Sequence, residues 1–177
     1  MTRPNPAQAP KGLLNQKKTE LKKILNLKQK EMFREWLITA KDENSFSATV
    51  EIVGKEWHVF RNVKSGDFPK FANNLWEHRE DIQNATYLWH KSQYQAYSYE
   101  SKICFLINPS KYRLIYDDNI KATLKSKNKL KKFTNQSIKK ENWMEVVNDY
   151  YEKCVESNPS KPEDFFQIDC DLWADGA

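Results

Sequence analysis

The spacing of the apolar residues changes along the chain, and this change constrains the fold more than any other feature of the sequence. From residue 13 to residue 40 apolar residues recur every three or four positions, which is typical of an amphipathic helix. From Phe46 to Val53 the period falls to two, which is typical of a half-buried strand. Gly54 and Lys55 fit a two-residue hairpin turn leading into a second strand over 57–60.

Similar alternation recurs over 85–89, 97–107 and 112–116. The turns at 108–111 and 117–119 are too short for parallel crossovers, so they predict antiparallel neighbours. Two further helical patterns begin near Phe68, after the N-cap residue Asp67, and at Trp143. We therefore expect an α+β fold. It combines a mainly antiparallel sheet of about four to six strands with a long N-terminal helix, a middle helix and a C-terminal helix.

The length of 177 residues fits a single domain, and no internal repeat divides it. Residues 1–12 contain three prolines and predict a disordered lead-in. Residues 13–157 form the predicted domain, in which 121–140 is an exposed basic loop because few apolar residues anchor it. Residues 158–177 form an acidic tail whose aromatic residues are too sparse to fold alone, so we expect disorder there as well.

Several classes of protein are disfavoured by composition. Four glycines cannot supply the glycine-rich phosphate loop of a P-loop or Rossmann protein. Three histidines and three cysteines share no metal-ligand spacing, so we expect no metal and no cofactor. The odd set of cysteines without close pairs predicts a reducing, cytoplasmic location. The longest apolar run, Ile103 to Ile107, is too short to cross a membrane, so no membrane partner is expected.

The segment 121–140 holds many lysines and no acidic residue, which favours binding to the phosphate backbone of a nucleic acid. The predicted contacts are Lys121, Lys125, Lys127, Lys129, Lys131, Lys132, Lys139 and Lys140. Tyr97, Tyr99 and Tyr112 could stack on bases, which favours single-stranded nucleic acid or RNA. With 24 lysines and five arginines, sequence specificity should be low. The alternatives to nucleic-acid binding are structural: the lysines would form an ordinary solvated loop, and the tyrosines would pack one face of the sheet.

The acidic tail supports a different function. Phe165, Phe166, Leu172 and Trp173 are interleaved with carboxylates, a pattern that suits docking into a basic, apolar groove of a protein partner. The same tail could instead lie across the protein's own basic segment, or its phenylalanines could pack back on the body. The docking interpretation makes the chain a protein-interaction module such as an adaptor, a regulatory subunit or an inhibitor.

One weak enzymatic pattern remains, the triplet of Glu100, Ser101 and Lys102 at the start of a predicted strand. Metal-dependent nucleases use a carboxylate to hold Mg²⁺ and a lysine to position water, and Glu80 or Asp81 could add a second ligand. A solvent-facing ion pair explains the triplet equally simply. The leading hypothesis is therefore a non-enzymatic, nucleic-acid-associated protein, such as an accessory subunit of a nucleoprotein complex; the interaction module is second and the nuclease third.

Overall fold

Helices account for 72% of the structure, and no strand is present among residues 11–176. The computed structural model of the protein describes the backbone of residues 11–176 and the side chains of residues 20–175 other than 60 and 65. The α-helices are α1 (Lys11–Thr39), α2 (Glu43–Glu56), α3 (Phe68–Glu77), α4 (Arg79–Gln83), α5 (Tyr97–Ile107), α6 (Pro109–Tyr112), α7 (Asp118–Lys131), α8 (Trp143–Cys154) and α9 (Pro162–Gly176). Short 3-10 helices cover Phe60–Asn62, Ser65–Asp67 and Trp89–Lys91.

Helix α5 lies at the centre of the packing. Every residue from Tyr99 to Ile107 is buried, so the helix has no solvent-facing stripe. Helix α1 packs against α5, α2 and α9, and α9 packs in addition against α7. The acidic C-terminal helix is thereby held between the first helix and the lysine-rich one.

The predicted sheet is wrong, and α5 shows the physical reason. Its residues alternate as a strand would from Tyr97 to Ile107, but Cys104 and Leu106 fill the intervening positions with apolar groups. A helix buried on all sides and a buried strand give the same continuous apolar run, and periodicity cannot distinguish them. The α+β fold class is therefore corrected to an all-helical one for the described residues.

The first predicted hairpin is also wrong, because the segment after residue 42 forms α2. Asp42 caps this helix by accepting a hydrogen bond from the Ser45 amide at 2.8 Å, while the Ser45 hydroxyl accepts one from the Asp42 amide. The buried residues Phe46, Val50 and Val53 share one helical face. The sequence of α2 therefore contains a helix-capping signal and helical spacing of its buried residues, although its apolar residues also alternate as in a strand.

The remaining predicted strands are replaced by short helices and irregular backbone. Residues 85–88 are irregular and lead into a 3-10 helix, and Ala85 has a positive φ of 61°. Residue 112 ends α6, and residues 113–116 follow as irregular backbone that begins at Arg113, whose φ is 57°. Positive φ values at non-glycine residues interrupt the extended backbone that a ladder needs.

Both segments predicted to lack regular structure contain helices. The basic loop is largely α7, which Asp117 caps by accepting from the Asn119 amide and which buries Ile120 and Leu124. The tail is largely α9, since Phe165, Phe166, Cys170 and Leu172 lie at helical spacing and are buried. Of the predicted lead-in, residues 1–10 lie outside the described residues, and residues 11 and 12 belong to α1.

No helix within residues 11–176 combines the length and the apolar character needed to cross a membrane.

The glycine at position 54 has a packing role. It lies in α2 where Tyr99 of α5 crosses, and a Cβ at this position would overlap the Tyr99 phenol. The Tyr99 hydroxyl also donates a hydrogen bond to the Val50 carbonyl. The absence of a side chain at Gly54 therefore sets the distance between α2 and α5.

We expect Gly54→Ala to lower the free energy of unfolding by about 1–3 kcal/mol, because the added methyl group overpacks this contact. Urea denaturation monitored by circular dichroism measures the change. Gly66→Ala is the matched control, since a Cβ there meets nothing within 4 Å, and its effect should stay within about 0.5 kcal/mol. A Gly54→Ala variant more stable than the parent would mean that helix propensity outweighs the contact and that this packing account is wrong.

Candidate functional site

A cavity of about 500 Å³ lies where α1, α5 and α9 meet the segment that enters α7. Apolar side chains line much of its wall: Leu25, Trp57, Ile115, Ile120 and Trp173. Six charged residues also line it, and four of them form two ion pairs that we call the charge cluster: Lys30 with Asp169, and Lys102 with Asp117. A largely apolar cavity with a few convergent charged groups is the usual form of a small-molecule or substrate site.

The first pair of the charge cluster is tightly bound. The Lys30 ammonium lies 2.6 Å from Asp169 Oδ2, and the two side chains are 3% and 2% exposed. The second carboxylate oxygen of Asp169 accepts a hydrogen bond of 3.0 Å from the Ile115 amide. Burial alone would lower the pKa of Lys30, but the charge and hydrogen bond of Asp169 outweigh it and raise the pKa above 10.5.

The second pair of the charge cluster is looser. Lys102 Nζ lies 3.4 Å from Asp117 Oδ2 and donates a hydrogen bond of 3.0 Å to the Ser98 hydroxyl. Burial lowers the pKa of Lys102 below 10.5, Asp117 and Asp169 oppose this only in part, and the nearby Lys30 charge adds to the lowering. Lys102 therefore gives up its proton more readily than an ordinary lysine.

This arrangement places a potential nucleophile in the cavity wall. An amine freed of its proton attacks carbonyl and other electrophilic carbons, and burial is the usual way in which proteins produce one. Asp117 is positioned to accept or return a proton during such a step. Trp57 also lines the cavity, and its buried Nε1 meets no acceptor in the part of the chain that the structure describes.

Comparison with known proteins gives no family. The chain matches no protein-family model, no curated protein and no solved structure. Any function assigned to the charge cluster is therefore argued from its geometry.

The residues predicted for a metal-dependent nuclease are not brought together. Glu100 is fully buried and receives a hydrogen bond of 3.4 Å from the Tyr87 hydroxyl, and burial raises its pKa to about 7. Asp81 lies on α4 and accepts a hydrogen bond from Thr86 at 3.2 Å. No group of three or more potential ligands suited to a metal occurs among the described residues. Of the predicted triplet, only Lys102 lines the cavity.

The predicted nucleic-acid contacts fall into two groups. Three lysines form ion pairs: Lys121 with Asp118, Lys127 with Asp175 at 3.4 Å, and Lys140 with Glu141 at 3.8 Å. The other five are exposed and have no carboxylate in ion-pair range within the described residues: Lys125, Lys129, Lys131, Lys132 and Lys139. Three of these five, Lys129, Lys131 and Lys132, lie at the C-terminal end of α7, while Lys125 lies in the middle of the helix and Lys139 in the segment after it.

The predicted tyrosine platform is not exposed. Tyr99 is fully buried, and Tyr112 is buried with its hydroxyl donating to the Tyr87 carbonyl at 3.1 Å. Tyr97 is half-buried, and the Lys140 ammonium lies 3.7 Å from its ring centroid. These tyrosines therefore pack the interior or are already covered by a cation, so they offer no surface on which bases could stack.

The tail residues predicted to bind a partner face the interior. Phe165, Phe166 and Leu172 are buried, and Phe166 packs edge-on against Phe105 with 5.4 Å between ring centroids. Trp173 is half-buried and lines the cavity. The α9 residues thus build the core and one wall of the candidate site.

Sequence reasoning missed three members of the charge cluster: Lys30, Asp117 and Asp169. Lys30 looks like one more lysine on the polar side of α1, and Asp169 like one more acid in the tail. The two are separated by 139 positions, and no local pattern signals that they pair. For Asp117 a signal exists, since an aspartate directly before a helical run is a typical N-cap.

Proposed function

We propose that the protein binds nucleic acid through its phosphate backbone, using the exposed lysines at the end of α7 and in the segment that follows. The observation that carries the proposal is the set of five lysines without an ion-pair partner in the described residues. Such a set repels itself until a polyanion neutralises it, and binding releases condensed counterions. Lysines act as point charges, so specificity for sequence should be low.

Two related expectations belong to this proposal. Because the tyrosines are covered, backbone contact rather than base stacking carries the binding, and the predicted preference for single strands or RNA has no structural support. A cytoplasmic location fits the three cysteines, all of which are free thiols. The alternative of a protein-interaction module also loses support, because the aromatic residues assigned to partner binding are largely buried.

We expect the quadruple variant Lys125→Gln, Lys129→Gln, Lys131→Gln, Lys132→Gln to weaken binding at low salt. The slope of log K against log salt should fall by about 0.7–0.9 for each phosphate group that the variant no longer neutralises. Fluorescence anisotropy with single-stranded and duplex oligonucleotides over a range of salt concentrations measures both quantities.

A matched control removes the same charge elsewhere by changing four exposed lysines outside this surface, Lys41, Lys64, Lys70 and Lys111, to glutamine. Its salt slope should stay close to that of the parent. If the control variant loses as much affinity as the α7 variant, binding is a net-charge effect and the proposed surface is wrong. If the parent does not bind at low salt, the proposal fails.

We also propose a second function, an enzymatic one, because of the Lys102 amine in the cavity. Asp117 and Ile120 line the cavity and belong to the start of α7, so the helix that carries the lysine surface begins at the charge cluster. The lysines without an ion-pair partner are concentrated towards the other end of α7, so a nucleic acid would have to extend along the whole helix to reach the Lys102 amine. This candidate is a nucleic-acid-processing protein in which Lys102 attacks an electrophilic carbon of the bound strand.

An oligonucleotide bearing an aldehyde tests this candidate. The Lys102 amine and the aldehyde should condense to an imine with loss of water, and borohydride should reduce the imine to a stable secondary amine. Gel electrophoresis should show a covalent complex that Lys102→Met abolishes and that Lys70→Met, at an exposed lysine outside the proposed surface, retains. A complex that survives Lys102→Met would show reaction at surface lysines and remove the enzymatic candidate.

A further inference from the structure

A lysine amine that lines the cavity touches a cysteine thiol buried behind it. Lys30 Nζ on α1 lies 3.1 Å from Cys170 Sγ on α9, and the two residues are 2% and 1% exposed. This is the one lysine–thiol hydrogen bond among the described residues, since Cys104 and Cys154 have no such partner there. Asp169 at 2.6 Å fixes the ammonium in place, so the contact does not depend on a flexible side chain.

We propose that Lys30 and Cys170 form a modification site in which dioxygen joins them through a covalent N–O–S bridge. One oxygen atom of dioxygen enters the bridge and the other leaves as water. The ammonium loses two protons and the thiol one. Two of these three go into the water, and the third passes to Asp169. Nitrogen and sulfur together give up four electrons, which reduce both oxygen atoms.

The charge cluster makes this reaction compatible with a buried site. Loss of the Lys30 charge would leave the Asp169 carboxylate unpaired in the interior, which is costly. Because Asp169 takes up the released proton, it becomes a neutral acid that still accepts the hydrogen bond from the Ile115 amide. Dioxygen has a route to the pair, since Lys30 and Asp169 line the cavity.

The bridge would change the candidate site as well as the scaffold. It ties α1 to α9 across 140 positions of the chain. It also removes a positive charge that helps to lower the pKa of the neighbouring Lys102. Its formation does not depend on the proposed binding to nucleic acid.

Intact-mass spectrometry of the full chain tests the bridge. Protein kept in air-saturated buffer and denatured without reductant should gain the mass of one oxygen atom less two hydrogen atoms. The gain should be absent from protein kept without oxygen and should disappear after treatment with dithiothreitol. Tandem spectrometry of a digest should locate it in a peptide pair that contains Lys30 and Cys170.

Cys170→Ala should abolish the mass gain, and Cys154→Ala should retain it because that thiol has no lysine contact in the described structure. Lys30→Arg keeps the charge and should also abolish the mass gain. If the Lys30→Arg variant does not fold, Cys170→Ala and the peptide map test the bridge without it. The proposal is overturned if the protein gains no mass in air or if the gain persists in Cys170→Ala. It is also overturned if the protein gains whole oxygen atoms without losing hydrogen, because that gain indicates sulfenic or sulfinic acid.

Discussion

The ion pair between Lys30 and Asp169 is the interaction on which the architecture depends. It joins α1 to α9 within the protein interior, and through its second oxygen Asp169 also holds the backbone at Ile115. Loss of one partner from such a pair leaves a buried charge and typically costs roughly 3–5 kcal/mol. Because α9 contributes Phe166 to the core and Trp173 to the cavity, the same contact positions both.

The ion pair also makes the two cavity lysines differ in how firmly they hold their protons. Asp169 lies close to Lys30, which retains its proton, whereas Asp117 lies farther from Lys102 and compensates burial only in part. One ammonium therefore holds its proton firmly, and the other gives up its proton more readily. The different burial and ion-pair distances of the two lysines produce this difference.

The sequence permits prediction of the elements whose patterns are local. Helices α1, α3 and α8 agree with their predicted positions, because each combines an apolar stripe with a polar face. The all-helical class could not be predicted, since the pattern of the buried α5 is equally typical of a strand and its alternating tyrosines favour one. The site could not be predicted for another reason: Lys30 and Asp169 meet only after the chain folds, so their identity as a pair is a property of the tertiary structure.

The protonation states of the two cavity lysines decide whether the cavity is organised in this way. NMR titration of protein labelled in its lysine side chains, with signals assigned through Lys30→Arg and Lys102→Arg, gives both pKa values in one experiment. We expect the pKa of Lys102 to lie below the ordinary value of 10.5 and the pKa of Lys30 to lie above it. A Lys102 pKa at or above 10.5 would show that the charge cluster holds two ordinary ammonium groups, and the division of roles between them would be wrong.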